Sequence, residues 1–374
     1  MSDRKILLNA FLPASGVDDP HRFAGRRDEV AELGNALLTT GSVPLIYGHR
    51  GLGKSSLALQ LSRIAQGDVE LLEELELGEL EIPEEDQFIV LMVNCSDSTK
   101  NLAGLLQLMI NAIESMREQK AAERGEDKYR LIDKTTRRSL SFKLFATETT
   151  KRYETGLKEL NTSKFTREER LVRLAELMTD VYQQPILFIV DEFDRVKSTA
   201  GIASFLKSYS NAYFKVALVG IGTTESALLR DHESLNRQLV PVRVPLMDRP
   251  DLESIFDRTE DYLLAHGIEM HFSEDAARRA SRVAAGFPWF MHLLGQTALI
   301  DAHEHGALGV SEAHVNAALR LLPKRRLAKQ FNDRYMLAVK DLLPFRKETQ
   351  HVLPGAGKRT SLQARSTGER TLWA

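Results

Sequence analysis

Eight consecutive residues decide the fold of this chain: Gly48-His49-Arg50-Gly51-Leu52-Gly53-Lys54-Ser55. They match the phosphate-loop pattern in full. Gly48, Gly51 and Gly53 permit backbone angles that aim successive N–H groups inward and let phosphate oxygens approach closely. A strand-like run precedes the loop and a helical pattern follows it, so the helix adds its positive N-terminal end. The stretch therefore predicts a binding site for a nucleoside triphosphate.

Side chains at the end of the loop supply the remaining ligands. Lys54 provides a point charge for the β- and γ-phosphates, and the hydroxyl of Ser55 is the expected Mg²⁺ ligand. Ser56 can assist at the α-phosphate. His49 takes a variable position of the loop and is not assigned to a metal. We expect the chain to bind ATP together with Mg²⁺.

An acidic pair supplies the second half of the site. Asp191 and Glu192 follow the apolar run Ile186 to Val190, which indicates a buried strand. An acid at the tip of such a strand can hold Mg²⁺ directly or through water, and Asp191 takes that role. Glu192 is the candidate general base for an attacking water, which separates a hydrolase from a small-molecule kinase. Asp194 is expected to support the local turn.

A third polar strand end follows along the chain. The apolar run Val216 to Ile221 ends in Gly222-Thr223-Thr224. A hydroxyl there can hydrogen-bond the γ-phosphate or the attacking water, and Thr223 is the better placed of the two threonines. The alternative is a hydroxyl that simply ends a strand.

Strand and helix patterns alternate around these motifs. Nearly continuous apolar runs are typical of strands that helices cover on both faces, and they occur at Val43 to Tyr47, Phe88 to Asn94, Ile186 to Val190, Val216 to Ile221 and Leu239 to Val244. Helical periodicity occurs at Arg27 to Leu38, Lys54 to Ala65, Asn101 to Glu118, Thr166 to Tyr182 and Gly201 to Tyr213. The alternation predicts an α/β fold, a three-layer P-loop NTPase domain with five core strands in a parallel sheet.

Past residue 246 the pattern becomes purely helical. Asp248, Ser273 and Ser311 stand where helix N-caps belong, Gly286 closes a helix, and Pro288 suits a first turn. These signals predict a small helical lid. We therefore expect four parts: an N-terminal arm at 1–20, an ATPase core at 21–246 with surface insertions at 68–86 and 119–165, the lid at 247–323, and a basic tail at 324–374 that is disordered.

The composition excludes several classes of protein. The chain is 43% hydrophobic and 27% charged, which is ordinary for a protein with a buried core. Cys95 is the only cysteine, so an intrachain disulfide and a thiolate metal cluster are both excluded. Residues 1–16 lack the apolar core of a signal peptide, and no apolar run approaches the roughly 20 residues that a spanning helix needs. We expect a cytoplasmic protein with no membrane partner.

Charge is unevenly distributed, although the net charge is only −2. Segment 68–86 holds ten acidic residues and no basic one, whereas from Arg320 onward there are 13 basic and 4 acidic residues, a local 13 − 4 = +9. Such blocks are usually solvated surface. Alternatively, Lys324-Arg325-Arg326 and the tail contact nucleic-acid phosphates non-specifically. DNA is therefore an open partner.

The order of phosphate loop, acidic-pair strand, polar strand end and helical lid resembles that of the AAA+ ATPases. Within them the chain is similar to the origin-recognition-like branch and to the related signal-transduction (STAND) ATPases of bacterial type, over about residues 20–322. The resemblance implies Mg²⁺-dependent hydrolysis of ATP to ADP and phosphate, with self-association or a protein partner. The origin-recognition branch carries a winged-helix DNA-binding domain after the lid, which implies as an alternative that the tail at 324–374 is a truncated winged-helix start, with Tyr335 to Leu343 beginning it. Phe23 to Glu29 is similar to the segment that packs against adenine in that group, which implies that Phe23 and Gly25 lie near the base. On residues alone these two are a hydrophobic anchor and a turn.

Two further site residues follow from the same resemblance. Arg237 ends the segment 231–237, where this family carries an arginine that reaches the γ-phosphate of a neighbouring subunit; the alternative is a surface arginine in a salt bridge. Gly286-Phe287-Pro288 matches a Gly-x-Pro element that places Pro288 near the nucleotide. The chain departs from the origin-recognition pattern here, because that pattern has a lid arginine just after the glycine. The nearest arginines lie one or two turns upstream, at Arg278, Arg279 and Arg282.

Three functions stay open on the sequence. The first is an ATPase whose nucleotide state controls assembly or the shape of a partner surface. The second is a nucleotide-gated binding module with little turnover. The third is a DNA-associated ATPase. One engine of this kind serves many processes, so the fold does not settle the target.

Overall fold

The computed structural model describes residues 3–130, 165–211, 213–229, 235 and 237–322, with backbone alone for 117–130. The tail predicted at 324–374, with its winged-helix start, lies outside the described residues. So do most of the insertion predicted at 119–165 and most of the segment before Arg237. Within the described part of the chain, every helix is too short or too polar to cross a bilayer.

The centre of the molecule is a five-stranded parallel sheet, which confirms the predicted fold class. Its strand order is β2-β3-β4-β1-β5. The strands are β1 (Val43–Gly48), β2 (Ile89–Asn94), β3 (Ile186–Asp191), β4 (Phe214–Ile221) and β5 (Leu239–Arg243). All five runs predicted from apolarity are strands, with ends shifted by at most two residues. Because β4 separates β1 from β3, the loops after β1 and β3 flank one strand end.

Helices cover both faces of the sheet. The core helices are α2 (Arg27–Leu38), α3 (Lys54–Ala65), α4 (Glu70–Glu74), α5 (Leu102–Arg130), α6 (Arg167–Tyr182), α7 (Ile202–Tyr209) and the one-turn α8 (Glu225–Leu228). Alternate residues of one strand enter different cores: Leu187 and Ile189 pack with α2 and α3, whereas Phe188 and Val190 pack with α5, α6 and α7. This two-sided burial is why the strands read as continuous apolar runs.

Segment 68–86 packs against the core beside α2 and α3 more closely than we expected of a surface insertion. It forms α4 and two short 3₁₀ turns, and its acidic side chains alternate with buried aliphatic ones. The buried members, which join the core beside α2 and α3, are Leu71, Leu72, Leu77, Leu80 and Ile82. The acidic run therefore covers an apolar inner side.

The C-terminal region is a helical bundle with a small addition. Its helices are α9 (Arg249–Ala265), α10 (Glu274–Ala284), α11 (Pro288–Glu304) and α12 (Glu312–Leu321). Asp248 and Ser273 cap α9 and α10 by accepting hydrogen bonds from backbone N–H groups. The purely helical expectation was wrong in one respect, because β6 (His271–Phe272) and β7 (Gly309–Val310) pair as a two-stranded parallel sheet. Strands of two residues are too short to produce a periodic signal.

The N-terminal segment packs on this bundle. Helix α1 (Asp3–Ala10) contacts α9 and α11. The Phe11 ring that follows is fully buried and meets Phe256, Phe272 and His292 edge to face. Gln296 donates a hydrogen bond of 2.7 Å to the Leu8 carbonyl. The arm predicted at 1–20 is thus fastened to the helical bundle.

Candidate nucleotide-binding site

The phosphate loop contains three glycines with positive φ, at Gly48, Gly51 and Gly53. Gly48 ends β1 with φ of 154°, and a Cβ there would stand 2.7 Å from the carbonyl oxygen of Val244. Gly53 has φ of 90° and directly precedes the first residue of α3. Only glycine takes such angles without strain. The loop between them therefore presents backbone N–H groups and the start of α3 to one space.

The hydroxyl of Ser55 and the carboxylate of Asp191 meet in this space. Ser55 Oγ donates to Asp191 Oδ2 at 2.9 Å, from opposite sides of β4. The second oxygen of Asp191 accepts the backbone N–H of Glu192 at 2.7 Å, which fixes the carboxylate. A hydroxyl beside a carboxylate is the oxygen donor set that Mg²⁺ prefers.

The donor set fits a shared magnesium ion. Among the described residues there is no cluster of three or more His, Cys, Asp or Glu side chains that would cage a metal. Mg²⁺ does not need one, because it commonly takes one or two protein ligands and completes its shell with phosphates and water. Ser55 and Asp191 fit that requirement.

Lys54 is a buried cation at the start of α3. Its Nζ donates to the carbonyl oxygen of His49 at 2.7 Å. Burial lowers the pKa of Lys54 to about 8; the carboxylates of Asp191 and Asp194 oppose the shift, and the guanidinium of Arg50 adds to it. An anion in the loop would restore the charged form.

Glu192 lies next to the magnesium donors but is engaged elsewhere. Its backbone is left-handed, with φ of 54°, an uncommon state for a residue with a side chain. Glu192 Oε2 lies 2.7 Å from Arg195 Nε, and Arg195 Nη2 donates to Oε1 at 3.3 Å. Arg195 Nη1 is also 3.5 Å from Asp97 Oδ1. The Glu192 carboxylate raises the pKa of Arg195.

The turn after β3 is tied to the end of β4. Asp194 Oδ1 accepts the backbone N–H of Ile221 at 2.8 Å, so Asp194 holds the acidic-pair turn against the neighbouring strand. Thr223 is exposed, and it is not among the residues that line the site cavity. Thr224 caps the short helix α8 by accepting the N–H of Ala227. On this strand the cavity wall is formed by Gly220 and Ile221.

A cavity of about 510 Å³ joins these groups, between the phosphate loop, the N-terminal arm and the helical bundle. Most of the site residues assigned from the sequence line this cavity. They are Phe23, Gly51, Gly53, Lys54, Ser55, Ser56, Asp191, Glu192 and Pro288. Gly48 shapes the loop from outside the lining. Gly25 also lies outside it, with φ of 62° and its Cα against the Asp251 carboxylate, so its geometry is that of a turn.

Arg26 is a wall residue that sequence reasoning missed. It is buried, its Nη2 donates to the Leu52 carbonyl at 3.1 Å, and its Nη1 pairs with Glu29 at 3.0 Å. It therefore fastens the segment before α2 to the phosphate loop. The sequence signal for Arg26 was its position next to the turn glycine Gly25. Arginines beside turns are common on protein surfaces, so this position did not indicate a buried wall residue.

The helical bundle touches the phosphate loop through Trp289, which was also missed. Its backbone N–H donates to the Gly51 carbonyl at 3.3 Å, and its indole N–H donates to the Pro13 carbonyl at 2.8 Å. Pro288 opens α11 just before it. His292, one turn further, is buried; burial and, to a smaller extent, the charge of nearby Arg22 lower its pKa to about 4. It packs in the bundle as expected.

The N-terminal arm forms one side of the cavity, which no sequence pattern indicated. Residues 12–17 all line it. The backbone N–H of Val17 donates to Ser56 Oγ at 3.0 Å, and Gln60 donates to the Val17 carbonyl at 3.0 Å. The arm thus spans from α11 to α3. Ser56, assigned to the α-phosphate from sequence, accepts this bond in the structure.

Arg237 lies apart from the cavity. Its side chain is exposed in the turn before β5, and it is not among the lining residues.

No protein-family model matches the chain, and no curated protein matches it in sequence. Solved structures do match. The ORC1 protein of Aeropyrum pernix in complex with DNA is 14% identical, with a TM-score of 0.45 over 79% of this chain and 64% of that one. Cdc6p from Pyrobaculum aerophilum is 12% identical, with a TM-score of 0.48 over 83% and 70%. The RuvB Holliday junction branch migration motor of Thermotoga maritima is 13% identical, with a TM-score of 0.43 over 89% and 81%.

These similarities are in fold alone. The chain spans less than two thirds of the length of the ORC1 protein. No activity, substrate or partner is transferred from them.

Proposed function

We propose that this chain is a magnesium-dependent ATPase of the AAA+ type, related to the origin-recognition-like and STAND branch. The observation that carries the proposal is the 2.9 Å contact between Ser55 Oγ and Asp191 Oδ2, beside the buried ammonium of Lys54. A hydroxyl, a carboxylate and a lysine meet at a helix start, which is the set of groups needed for Mg²⁺ and phosphates.

Each residue of the site has a role in this function. The backbone N–H groups of 48–55 and Lys54 bind the phosphates, and Phe23, Pro288 and the N-terminal arm enclose the rest of the nucleotide. Ser55 and Asp191 would hold Mg²⁺, which neutralises phosphate charge when bound. Glu192 accepts the proton of the attacking water once its carboxylate leaves Arg195. Thr223 and Arg237 are also assigned to contacts with the γ-phosphate. To make these contacts, the loops that carry them must move toward the cavity.

Substitution of Glu192 tests the proposal. Glu192→Gln should abolish steady-state release of phosphate while fluorescence anisotropy still reports binding of a labelled ATP analogue with Mg²⁺. Glu176→Gln, an exposed position on α6, is the matched control and should hydrolyse ATP at the wild-type rate. Undiminished hydrolysis by Glu192→Gln would remove Glu192 from the mechanism. Failure of the wild type to bind ATP would end the proposal as a whole.

A nucleotide-gated binding module with little turnover is the second candidate. One observation favours it: the candidate base is engaged by Arg195. Under this function ATP binding alone would change the packing of the helical bundle on the core. Slow or absent hydrolysis together with an ATP-dependent change in Trp289 fluorescence would favour it over the ATPase.

The target and compartment are also proposals. Self-association or a protein partner follows from the AAA+ type, and cytoplasmic location from the sequence. Association with DNA rests on the basic residues of 324–374. Anisotropy of labelled duplex DNA at moderate salt, with and without ATP, tests this, and absence of binding under both conditions would exclude it.

A further inference from the structure

Charge in the site cavity is unbalanced. Three carboxylates line it, at Asp191, Glu192 and Asp194. Five cationic side chains line it, at Arg22, Arg26, Arg50, Lys54 and Arg195. The excess is 5 − 3 = +2, which suits a polyphosphate. Besides Lys54, four arginines could therefore bind the γ-phosphate, and they differ in whether protein acceptors already occupy their N–H groups.

Three of the four arginines already donate to protein acceptors. Their acceptors are the Asn9 and Ala10 carbonyls for Arg22, Glu29 and the Leu52 carbonyl for Arg26, and Glu192 and Asp97 for Arg195. Arg22 and Arg26 hold the arm and the loop in place. To bind phosphate they would have to give up bonds that maintain the wall of the cavity.

Arg50 is the exception. Its side chain is exposed and lines the cavity, and it makes no hydrogen bond or ion pair with another described residue. The preceding carbonyl, of His49, accepts Lys54 Nζ at 2.7 Å, so the backbone of Arg50 adjoins the ammonium expected at the β- and γ-phosphates. A planar guanidinium at this position can take two phosphate oxygens at once.

We propose that Arg50 is a catalytic residue that binds the γ-phosphate within its own chain and stabilises the transition state of hydrolysis. This inference rests on the proposed ATPase function. The water oxygen bonds to the γ-phosphorus, the bond from that phosphorus to the β–γ bridging oxygen breaks, and ADP leaves with its electron pair. The water proton passes to Glu192. Arg50 binds the equatorial oxygens, where charge spreads during the transfer.

A cis arginine replaces the need for one from a neighbouring subunit. Arg237, the residue that the family resemblance implies for that role, is exposed outside the cavity. Hydrolysis per chain should therefore be independent of protein concentration. An arginine supplied in trans would instead make the rate rise with concentration as subunits assemble.

Binding of a transition-state mimic tests the proposal without relying on turnover. The affinities of ADP alone and of ADP with aluminium fluoride are measured for wild type, Arg50→Ala, Arg50→Lys and Arg243→Ala. Arg243 is an exposed arginine at the end of β5 that is not among the residues lining the cavity, and it serves as the matched control. Arg50→Ala should bind ADP like wild type but lose at least tenfold of the extra affinity for the mimic. Its kcat should fall about 10²-fold, as expected for one lost transition-state donor, with a much smaller change in KM. Arg50→Lys should recover part of the loss.

The outcomes separate the two proposals. Suppose the wild type binds ATP and hydrolyses it in a Glu192-dependent way, yet Arg50→Ala keeps its preference for the mimic. The inference about Arg50 is then wrong and the ATPase function stands. Loss of the preference in Arg237→Ala, with a rate per chain that rises with concentration, would also overturn it. A wild type without ATP binding would overturn both.

Discussion

Both carboxylate oxygens of Glu192 face the guanidinium of Arg195, with Oε2 2.7 Å from Nε and Oε1 3.3 Å from Nη2. A carboxylate in this arrangement is occupied by two N–H donors and is a poor acceptor for the proton of a water. The pair is partly exposed, with side-chain exposures of 44% for Glu192 and 38% for Arg195. Exposed ion pairs are weak, so the contact with Arg195 occupies the carboxylate of Glu192, the candidate base, but is easily broken.

Removal of this guanidinium should speed hydrolysis. We expect Arg195→Ala to raise kcat about two- to fivefold, the small range set by the weakness of exposed pairs. Single-turnover and steady-state phosphate release measure the effect. Arg170→Ala is the control, because Arg170 and Glu114 form a pair of similar exposure at 3.2 Å between α5 and α6. A lower kcat in Arg195→Ala would mean that Arg195 orients Glu192 for catalysis.

ATP affinity should depend on pH through Lys54. In the free protein burial lowers the pKa of Lys54 to about 8, and bound phosphates would raise it again. Below pH 8 the ammonium is present before and after binding, so affinity is constant. Above pH 8 the free protein loses the proton that the complex retains, so binding takes up a proton and affinity falls, by at most about tenfold for each pH unit.

Calorimetry in two buffers of different ionisation enthalpy measures this proton uptake. At pH 9 the apparent enthalpy should differ between the buffers, and at pH 7 the Lys54 contribution should vanish. Lys54→Arg is the control, because arginine stays charged throughout and should remove the pH 9 uptake. Equal ATP affinity at pH 7 and pH 9 in the wild type would contradict the role given to Lys54.

The part of the site that the sequence could predict depends on local rules. The five strands were visible because burial on both faces makes apolarity continuous, as at Leu187 and Phe188, which enter different cores. The closeness of Ser55 and Asp191 follows from topology, since carboxyl ends of parallel strands share one edge of a sheet. Gly48 and Gly53 were readable because few other residues tolerate their backbone angles.

The rest of the site depends on contacts between residues far apart in sequence. Trp289 reaches Gly51 and Pro13 only because the helical bundle folds back over the loop. Arg26 reaches the phosphate loop through a hydrogen bond to the Leu52 carbonyl, and Val17 reaches α3 through one to Ser56 Oγ. Such isolated contacts leave no periodic pattern in the sequence. Glu192 and Arg195 are only three residues apart in sequence. The left-handed backbone of Glu192 at the start of this turn could not be predicted, because glutamate rarely adopts it. Propensity rules do not capture such tertiary placements.

The N-terminal arm should depend on the absence of a side chain at Gly295. A Cβ at this position would lie 2.4 Å from the ring of Phe11, which is only 1% exposed. We expect Gly295→Ala to lower the free energy of unfolding by about 1–3 kcal/mol and to weaken ATP binding, because a displaced Phe11 carries residues 12–17 away from the cavity wall. Urea unfolding and ATP titration measure the two effects.

A double variant separates crowding from other effects of this substitution. Phe11→Ala removes the ring and leaves room for the new methyl group. Phe11→Ala with Gly295→Ala should therefore be less destabilised than the sum of the single changes. Additive effects would show that Gly295 does not act through Phe11.

Lys215 should stabilise the core by capping α2 from within the sheet. This β4 lysine is buried, and its Nζ donates to the carbonyls of Ala36, Leu37 and Thr39 at 2.7–2.8 Å. Lys215→Met keeps the length and apolar stem but removes the ammonium. The Ala36 and Thr39 carbonyls keep hydrogen bonds from the hydroxyl and the backbone N–H of Ser42, so the Leu37 carbonyl is the one chiefly affected. We expect the free energy of unfolding to fall by about 1–3 kcal/mol, the cost of one buried polar group left unpaired. Urea denaturation monitored by far-UV circular dichroism measures the change.

Lys207→Met on the exposed side of α7 is the control and should be near neutral. A Lys215→Met variant as stable as wild type would show that the ammonium contributes no more than its desolvation costs.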